Sequence, residues 1–391
     1  LLPLNLKRQE WVLLAILFAT EYARGAFFLS FLPVYAVRHL GLPITAAGLA
    51  VTAHYLTETI FKTAAGWHFD RLGRPVLLIG LLTGLFSLLT MKLWPLPPVL
   101  VIASALWGLG MSPVWLGVMS EVAPVDLPGR NKRIGLVFAA WLGGSGAGLV
   151  TVNFILHQGV NVAFSAIILV WLASLILTLF ILPAGVGRRV QTARGVILSL
   201  ARMAASPAVL GILIPGMFLQ TFCAGLLLPV LPLFVQNQLG LSYNQYGLLL
   251  LTGGGTALIA FLPMGMLLGY TALKNFLAAG FGLCAVSLGL LAASHNPHSA
   301  FILAALVGFS YAIILPAWNT LLARIIPPDQ QATGWGLFAT VEGLGAAIGP
   351  ALGSLVARYA GISAPILLST FLLITIAIFY IFYPLEKSIV K

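Results

Sequence analysis

The chain has 391 residues, of which 60% are hydrophobic and only 7% charged, with a mean hydropathy of +1.05. That is far more apolar than a soluble domain, so composition points to a polytopic membrane protein. The net charge of +11 does not indicate nucleic acid, because the cations fall in alternate loops rather than on one patch.

Crossing a ~30 Å hydrocarbon core takes about 20 apolar residues in a helix. The sequence predicts an all-α membrane protein with spans near 11–38, 44–68, 75–93, 97–120, 131–157, 161–183, 207–236, 244–269, 273–294, 298–325, 331–358 and 363–384, which makes twelve. The first is too long for a cleavable signal peptide and carries Glu21 and Arg24 inside it. Those two stand at i, i+3, and His54, Glu58 and Lys62 of the second span follow at i+4 steps on one stripe. Ionisable groups at bilayer depth are expensive, which makes the five a site hypothesis by default. The competing reading is a pair of buried ion pairs, Glu21 with Arg24 and Glu58 with Lys62, that only pin helices together. His54 by itself reads as a packing residue, and Lys62 as a side chain able to snorkel to the interface.

Trp115 and Trp141 fall near the middle of the fourth and fifth spans rather than at the membrane interface, where tryptophan is enriched. An indole offers a flat apolar face and one N–H, which suits stacking on a sugar ring; core packing is the alternative. Trp11 and Trp94 read as interfacial anchors. The polar break at 184–206 is the expected linker between a six-helix bundle at 1–183 and another at 207–391. Cys223 and Cys284 lie in apolar spans and suggest neither a disulfide nor a metal site.

The second half repeats the first. Leu32-Pro33-Val34-Tyr35, Leu40-Gly41-Leu42 and Ala105-Leu106-Trp107-Gly108 recur as Leu231-Pro232-Leu233-Phe234, Leu239-Gly240-Leu241 and Ala305-Leu306-Val307-Gly308, at an offset near 200. At four positions matching the polar cluster the second copy has Gln220, Cys223, Gly253 and Ala257. The two halves are therefore expected to offer unlike walls, one charged and one apolar, with Trp318, Asn319 and Glu342 as the polar exceptions. Fifteen Lys and Arg residues fall on one side of the predicted spans and Arg38, Lys92 and Arg358 on the other; with Arg24 and Lys62 these account for all 20. The positive-inside rule then puts both termini in the cytoplasm.

Between the second and third spans stands Gly66-Trp67-His68-Phe69-Asp70-Arg71-Leu72-Gly73-Arg74. It resembles the Gly-x-x-x-Asp-Arg-x-Gly-Arg loop motif of the major facilitator superfamily, in which Asp70, Arg71 and Arg74 are expected to form a gating charge network while Gly66 and Gly73 allow close packing and tight turning. Glu21-Tyr22-Ala23-Arg24-Gly25, Ser112-Pro113-Val114-Trp115, Trp141-Leu142-Gly143, Leu315-Pro316-Ala317-Trp318-Asn319-Thr320 and Gly345 to Gly349-Pro350 together resemble the lipoteichoic-acid flippase branch of that superfamily. The resemblance implies a proton-coupled antiporter of a diglucosyl-diacylglycerol anchor in a bacterial cytoplasmic membrane. Glu21, Arg24 and Glu58 would serve coupling. The same three with His54, Trp115, Trp141, His157, Trp318, Asn319 and Glu342 would bind substrate. Glu58 stands where that branch has Asp, His157 where it has Lys, and Glu342 where it has an amide.

The expected partners are a glycolipid, protons and membrane lipid, with a monomeric chain, no nucleic acid and no cofactor. Without a nucleotide-binding P-loop, an ion gradient is the expected energy source. A proton-coupled drug efflux antiporter is the alternative. It is weakened because the fifth span reads Gly143-Gly144-Ser145-Gly146-Ala147-Gly148, without the Gly-Pro pair common there in drug antiporters. An enzyme is disfavoured because His295 and His298 have no matching acid or cysteine cluster. A receptor is disfavoured by the absence of a domain to carry a signal.

Overall fold

The computed structural model describes residues 6–124, 130–181, 214–268, 273–325 and 331–383. These form α1 (Arg8–His39), α2 (Ile44–Leu72), α3 (Pro75–Leu93), α4 (Pro97–Val122), α5 (Arg130–Leu156) and α6 (Val160–Leu179). The second set is α7 (Ile214–Leu227 continuing, after a break, as Leu231–Asn237), α8 (Tyr243–Leu267), α9 (Leu273–Ala293), α10 (Pro297–Ile325), α11 (Gln331–Ala360) and α12 (Ala364–Phe382). Ten of the described helices are long and apolar enough to cross a membrane, and the bent pair of α7 makes an eleventh. The twelfth, α2, has 29 residues, about 43 Å at 1.5 Å per residue, but its threonines, His54 and Glu58 dilute its apolarity. The protein is a multi-pass membrane protein.

Two compact units divide the chain, Leu1–Val190 and Gln191–Lys391. The expected linker at 184–206 lies outside the described residues. Each unit has the same internal packing: α1 lies on α5 and α6, α2 on α4, and α3 on α4 and α6, while α7 lies on α11 and α12, α8 on α10, and α9 on α10 and α12.

Glycines set these crossings. A Cβ on Gly108 would run into the carbonyl of His54, and one on Gly308 into the carbonyl of Gly253, so α2–α4 and α8–α10 touch backbone to backbone at matching positions. Likewise Gly144 and Gly148 abut the carbonyls of Phe18 and Tyr22, as Gly345 and Gly349 abut those of Phe218 and Phe222. Helices in lipid gain little from burying apolar area against one another, and close approach at small residues supplies the packing instead. Within unit 1, α1 widens to π-helical turns at Phe27–Phe31 and Tyr35–His39, on either side of Pro33, whose missing N–H removes a rung of the ladder.

Candidate functional site

Glu21 and Arg24 are one turn apart on α1 and both are buried, at 2% and 7% exposure. Arg24 donates through Nε (2.9 Å) and Nη2 (2.5 Å) to a single oxygen of Glu21, Oε2. Its Nη1 reaches across to Glu58 Oε2 on α2 at 3.1 Å, and Lys62 Nζ lies 3.2 Å from Glu58 Oε1. The two pairs expected from spacing are therefore joined by Arg24 into one chain of four charges. Two carboxylates face one guanidinium and one ammonium, so the cluster is neutral overall, which is what burial in a low-dielectric bundle demands. Tyr55 closes one side, its ring centroid 5.4 Å from the Arg24 guanidinium.

The wall behind the cluster is backbone. Gly144 brings α5 close enough that a Cβ there would sit 3.1 Å from Glu21 Cβ, and a Cβ on Gly25 would collide with the Ser145 carbonyl. On the other side Ser112 Oγ donates to the carbonyls of Glu58 (3.3 Å) and Gly108 (3.0 Å), tying α4 to α2 at the level of the acid.

His54 is wholly buried. Its ring stacks on Phe28 at 4.0 Å and stands edge-on to Trp107 and Tyr55, and its Nε2 is 3.9 Å from Glu58 Oε2. It belongs to an aromatic core that spacing did not reveal, in which Trp107 touches Phe27, Phe28 and Trp171.

Trp115 and Trp141 are half-buried and are linked through Phe138, each ring edge-to-face at 6.0 Å, in a ladder across α4 and α5. Trp115 follows Ser112 by three residues and Trp141 precedes Gly144 by three, on antiparallel helices. Both indoles therefore lie about 4.5 Å along the axis from the carboxylate level, on the same side of it. Phe138, at 38% exposure, is a member of this surface that the sequence reading did not single out.

Of the other expected substrate residues, His157 lies in unit 1 and Trp318, Asn319 and Glu342 lie in unit 2. His157 is exposed in the turn after α5, thirteen residues beyond Gly144 and so about 20 Å along the helix. Trp318, 2% exposed, is packed among Gly216 and Tyr380 in unit 2. Its neighbour Asn319 is exposed, because consecutive helical residues point about 100° apart. Glu342 is half-buried on α11 in unit 2.

Arg74 is buried and pairs not within the motif but with Glu121 at the end of α4, through Nε (3.1 and 3.0 Å) and Nη2 (2.6 Å). It also donates to the carbonyl of Ile181 (2.7 Å) and to Gln9 Oε1 (3.1 Å). Arg71 is exposed and lies over Trp67, 3.8 Å from the ring centroid, and Asp70 is half-buried. Gly73 terminates α2 at φ +70°, a conformation that favours glycine. Beside it, Arg133 pairs with Glu10 at 2.8 Å and caps the Val122 carbonyl at 3.0 Å. Five helix ends of unit 1 are thus tied together by Arg74 and Arg133, which satisfy carbonyls that helix termini leave free. Glu10 and Glu121 are the acids that complete this clamp.

This arrangement of helices, with its duplicated glycine crossings, has counterparts. A family model described as Major Facilitator Superfamily matches residues 13–214 and again 213–390. The chain belongs to the major facilitator superfamily. It is 30% identical over 388 residues to a protein of Staphylococcus saprophyticus named proton-coupled antiporter flippase LtaA, covering 97% of this chain and 95% of that one. The relative of the same name in Staphylococcus aureus (strain MSSA476) is 29% identical over 379 residues, covering 94% and 93%. Superfamily structures of lower identity share the fold. One is a POT family transporter in complex with a thioalcohol-conjugated peptide (TM-score 0.73, 14% identity, 98% of this chain and 97% of that one). Another is a D-xylose–proton symporter (TM-score 0.71, 18% identity, 97% and 98%). The family to which the chain belongs is one of transporters.

Proposed function

We propose that the protein is a proton-coupled antiporter flippase that moves a glycolipid of the diglucosyl-diacylglycerol type, the anchor of lipoteichoic acid, across a bacterial cytoplasmic membrane by alternating access, with both termini in the cytoplasm. The observation that carries this reading is the neutral, buried quartet Glu21–Arg24–Glu58–Lys62 set one helical turn from the Trp115–Phe138–Trp141 ladder. Adding one proton to such a quartet changes its net charge from zero to +1, and a change of that kind at bilayer depth biases one conformation over another. The aromatic ladder supplies flat faces and indole N–H donors for a sugar headgroup. The names of the two staphylococcal relatives support the same activity. Asp70, with Arg71 and Arg74 at the end of unit 1, acts in exchange between conformations rather than in binding.

Transport of a fluorescent glycosyl-diacylglycerol in proteoliposomes, with and without an imposed pH gradient, tests the reading. Acceleration by the gradient is expected in the wild type, and loss of that acceleration in Glu21→Gln. Titration with the glycolipid, the free disaccharide, plain diacylglycerol and a cationic drug tests the substrate. An analogue without the sugar hydroxyls leaves buried polar groups unpaired, at about 1–3 kcal/mol each. Tight binding of the drug with no response to the glycolipid would replace this function with drug efflux.

A further inference from the structure

The two carboxylates of the cluster are not equivalent. Both oxygens of Glu58 are held by cations, Oε1 by Lys62 at 3.2 Å and Oε2 by Arg24 at 3.1 Å. Glu21 receives both of its hydrogen bonds from Arg24 on Oε2, and none of the Arg24 bonds goes to Oε1. A proton arriving at Glu58 meets an oxygen already paired with a cation, whereas one arriving at Glu21 finds an oxygen to which Arg24 makes no hydrogen bond.

We propose that Lys62 is a positioning residue that keeps Glu58 ionised throughout the cycle, so that Glu21 is the carboxylate that takes up and releases the coupled proton. The inference rests on the proton-coupled reading above and assigns the division of labour within it. In the step itself, one proton from water bonds to Glu21 Oε1. The bonds from Arg24 to Glu21 then weaken, and the guanidinium turns its charge towards Glu58, which stays paired. On the other side of the membrane the O–H bond breaks and the proton returns to water. No other atom or electron moves.

The charged and titratable groups facing the two acids are Arg24 on α1 and His54, Tyr55 and Lys62 on α2. Among the described residues, the adjoining parts of α4 and α5 bring the hydroxyl of Ser112 and the glycine backbone at Gly144. His54 is enclosed by the rings of Phe28, Tyr55 and Trp107. Lys62, with 29% of its side chain exposed, is the cation nearest the edge of the cluster and the one whose removal disturbs packing least.

The test is infrared difference spectroscopy of the purified protein across a pH titration, reading the carbonyl stretch of protonated carboxyl groups; it requires no transport substrate. Glu21→Gln should remove the titrating band of the buried cluster. Glu58→Gln should keep it and move its midpoint to more acidic pH, because Lys62 and Arg24 then both face Glu21. Lys62→Met leaves one cation for two acids, so a second band should appear and protonation should begin about 1–3 pH units higher. Lys62→Arg should restore the wild-type profile, which loss of packing alone would not predict. A band that disappears in Glu58→Gln but survives in Glu21→Gln overturns the assignment, as does a Lys62→Met profile identical to the wild type. If glycolipid transport proves independent of the gradient while the band assignments hold, the proposed function fails and the assignment of Glu21 stands.

Discussion

Where α1 presents Arg24 to two carboxylates, the matching turn of α7 presents Cys223. Its thiol and carbonyl exchange weak bonds with the carbonyl and hydroxyl of Ser369 on α12, at 3.8 and 3.2 Å. Where α2 has His54 and Glu58, α8 has Gly253 and Ala257. Yet the glycines that set the helix crossings are the same in both units, down to Gly108 on the His54 carbonyl and Gly308 on the Gly253 carbonyl. Packing in a bilayer is decided by how closely backbones approach, and that requirement is met twice. Among the described residues, the expense of burying charge falls in unit 1, where the proposed chemistry resides.

The comparison breaks most sharply at Arg24. Replacing it by Met leaves Glu21 and Glu58 with only Lys62, and removing one partner from a buried ion pair costs about 3–5 kcal/mol. Cys223→Ala, at the matching turn of α7, deletes one small atom and a weak bond, for about 1 kcal/mol. Unfolding of both variants in detergent by denaturant titration measures the contrast. Equal losses would mean that the charged quartet adds nothing to the stability of unit 1.

The next contrast lies at the helix ends of unit 1. Arg74→Gln removes a buried, charge-assisted network to Glu121, Gln9 and the Ile181 carbonyl, where bonds to charged groups contribute about 1.5–3 kcal/mol each. Arg71→Gln, three positions earlier, gives up only an exposed cation over Trp67, on the order of 0.5 kcal/mol. The same unfolding assay separates the two. If Arg71→Gln is the more costly, the clamp has been assigned to the wrong arginine.

Much of this was legible before any coordinates, because helical spacing alone puts Glu21 with Arg24 and puts His54, Glu58 and Lys62 on one stripe. Spacing could not say that Arg24 spans from α1 to α2, since that depends on how closely Gly25, Gly144 and Gly148 let α1 settle on α5. The twelve spans followed from hydropathy, and α2 shows why a polar stripe weakens that signal at the helix that matters most. The loop motif told where a charged network would form but not that Glu121, 47 residues further on, would be the partner of Arg74. Trp318 and Asn319 come from one motif block, yet the first is buried and the second exposed, because adjacency on a helix separates side chains rather than grouping them.

If the packing frame is duplicated, its disturbance should be duplicated too. Gly108→Ala and Gly308→Ala each drive a Cβ into a carbonyl oxygen of the neighbouring helix, and overpacking of that kind costs about 1–3 kcal/mol. The two losses should agree within about 0.5 kcal/mol and add in the double variant, as changes at distant sites do. Unequal losses would show that the two crossings, alike in geometry, differ in how far their helices can move apart.

The finest contrast concerns two buried tryptophans. Trp171 Nε1 donates to the Leu81 carbonyl at 2.8 Å, whereas Trp318 Nε1 is buried with no hydrogen-bond partner among the described residues. Changing either to Phe removes the five-membered part of the indole and opens a similar small void. At Trp171 a hydrogen bond is lost as well, about 1 kcal/mol net. At Trp318 the change instead removes an unsatisfied donor, whose burial costs about 1–3 kcal/mol, and this offsets the lost packing. Trp171→Phe should therefore destabilise the protein by at least about 1 kcal/mol more than Trp318→Phe, and Trp318→Phe should be close to neutral, measured side by side by denaturant unfolding. If Trp318→Phe proves the more damaging of the two, its N–H has a partner in the folded protein after all, and the polar character first expected of that position would return.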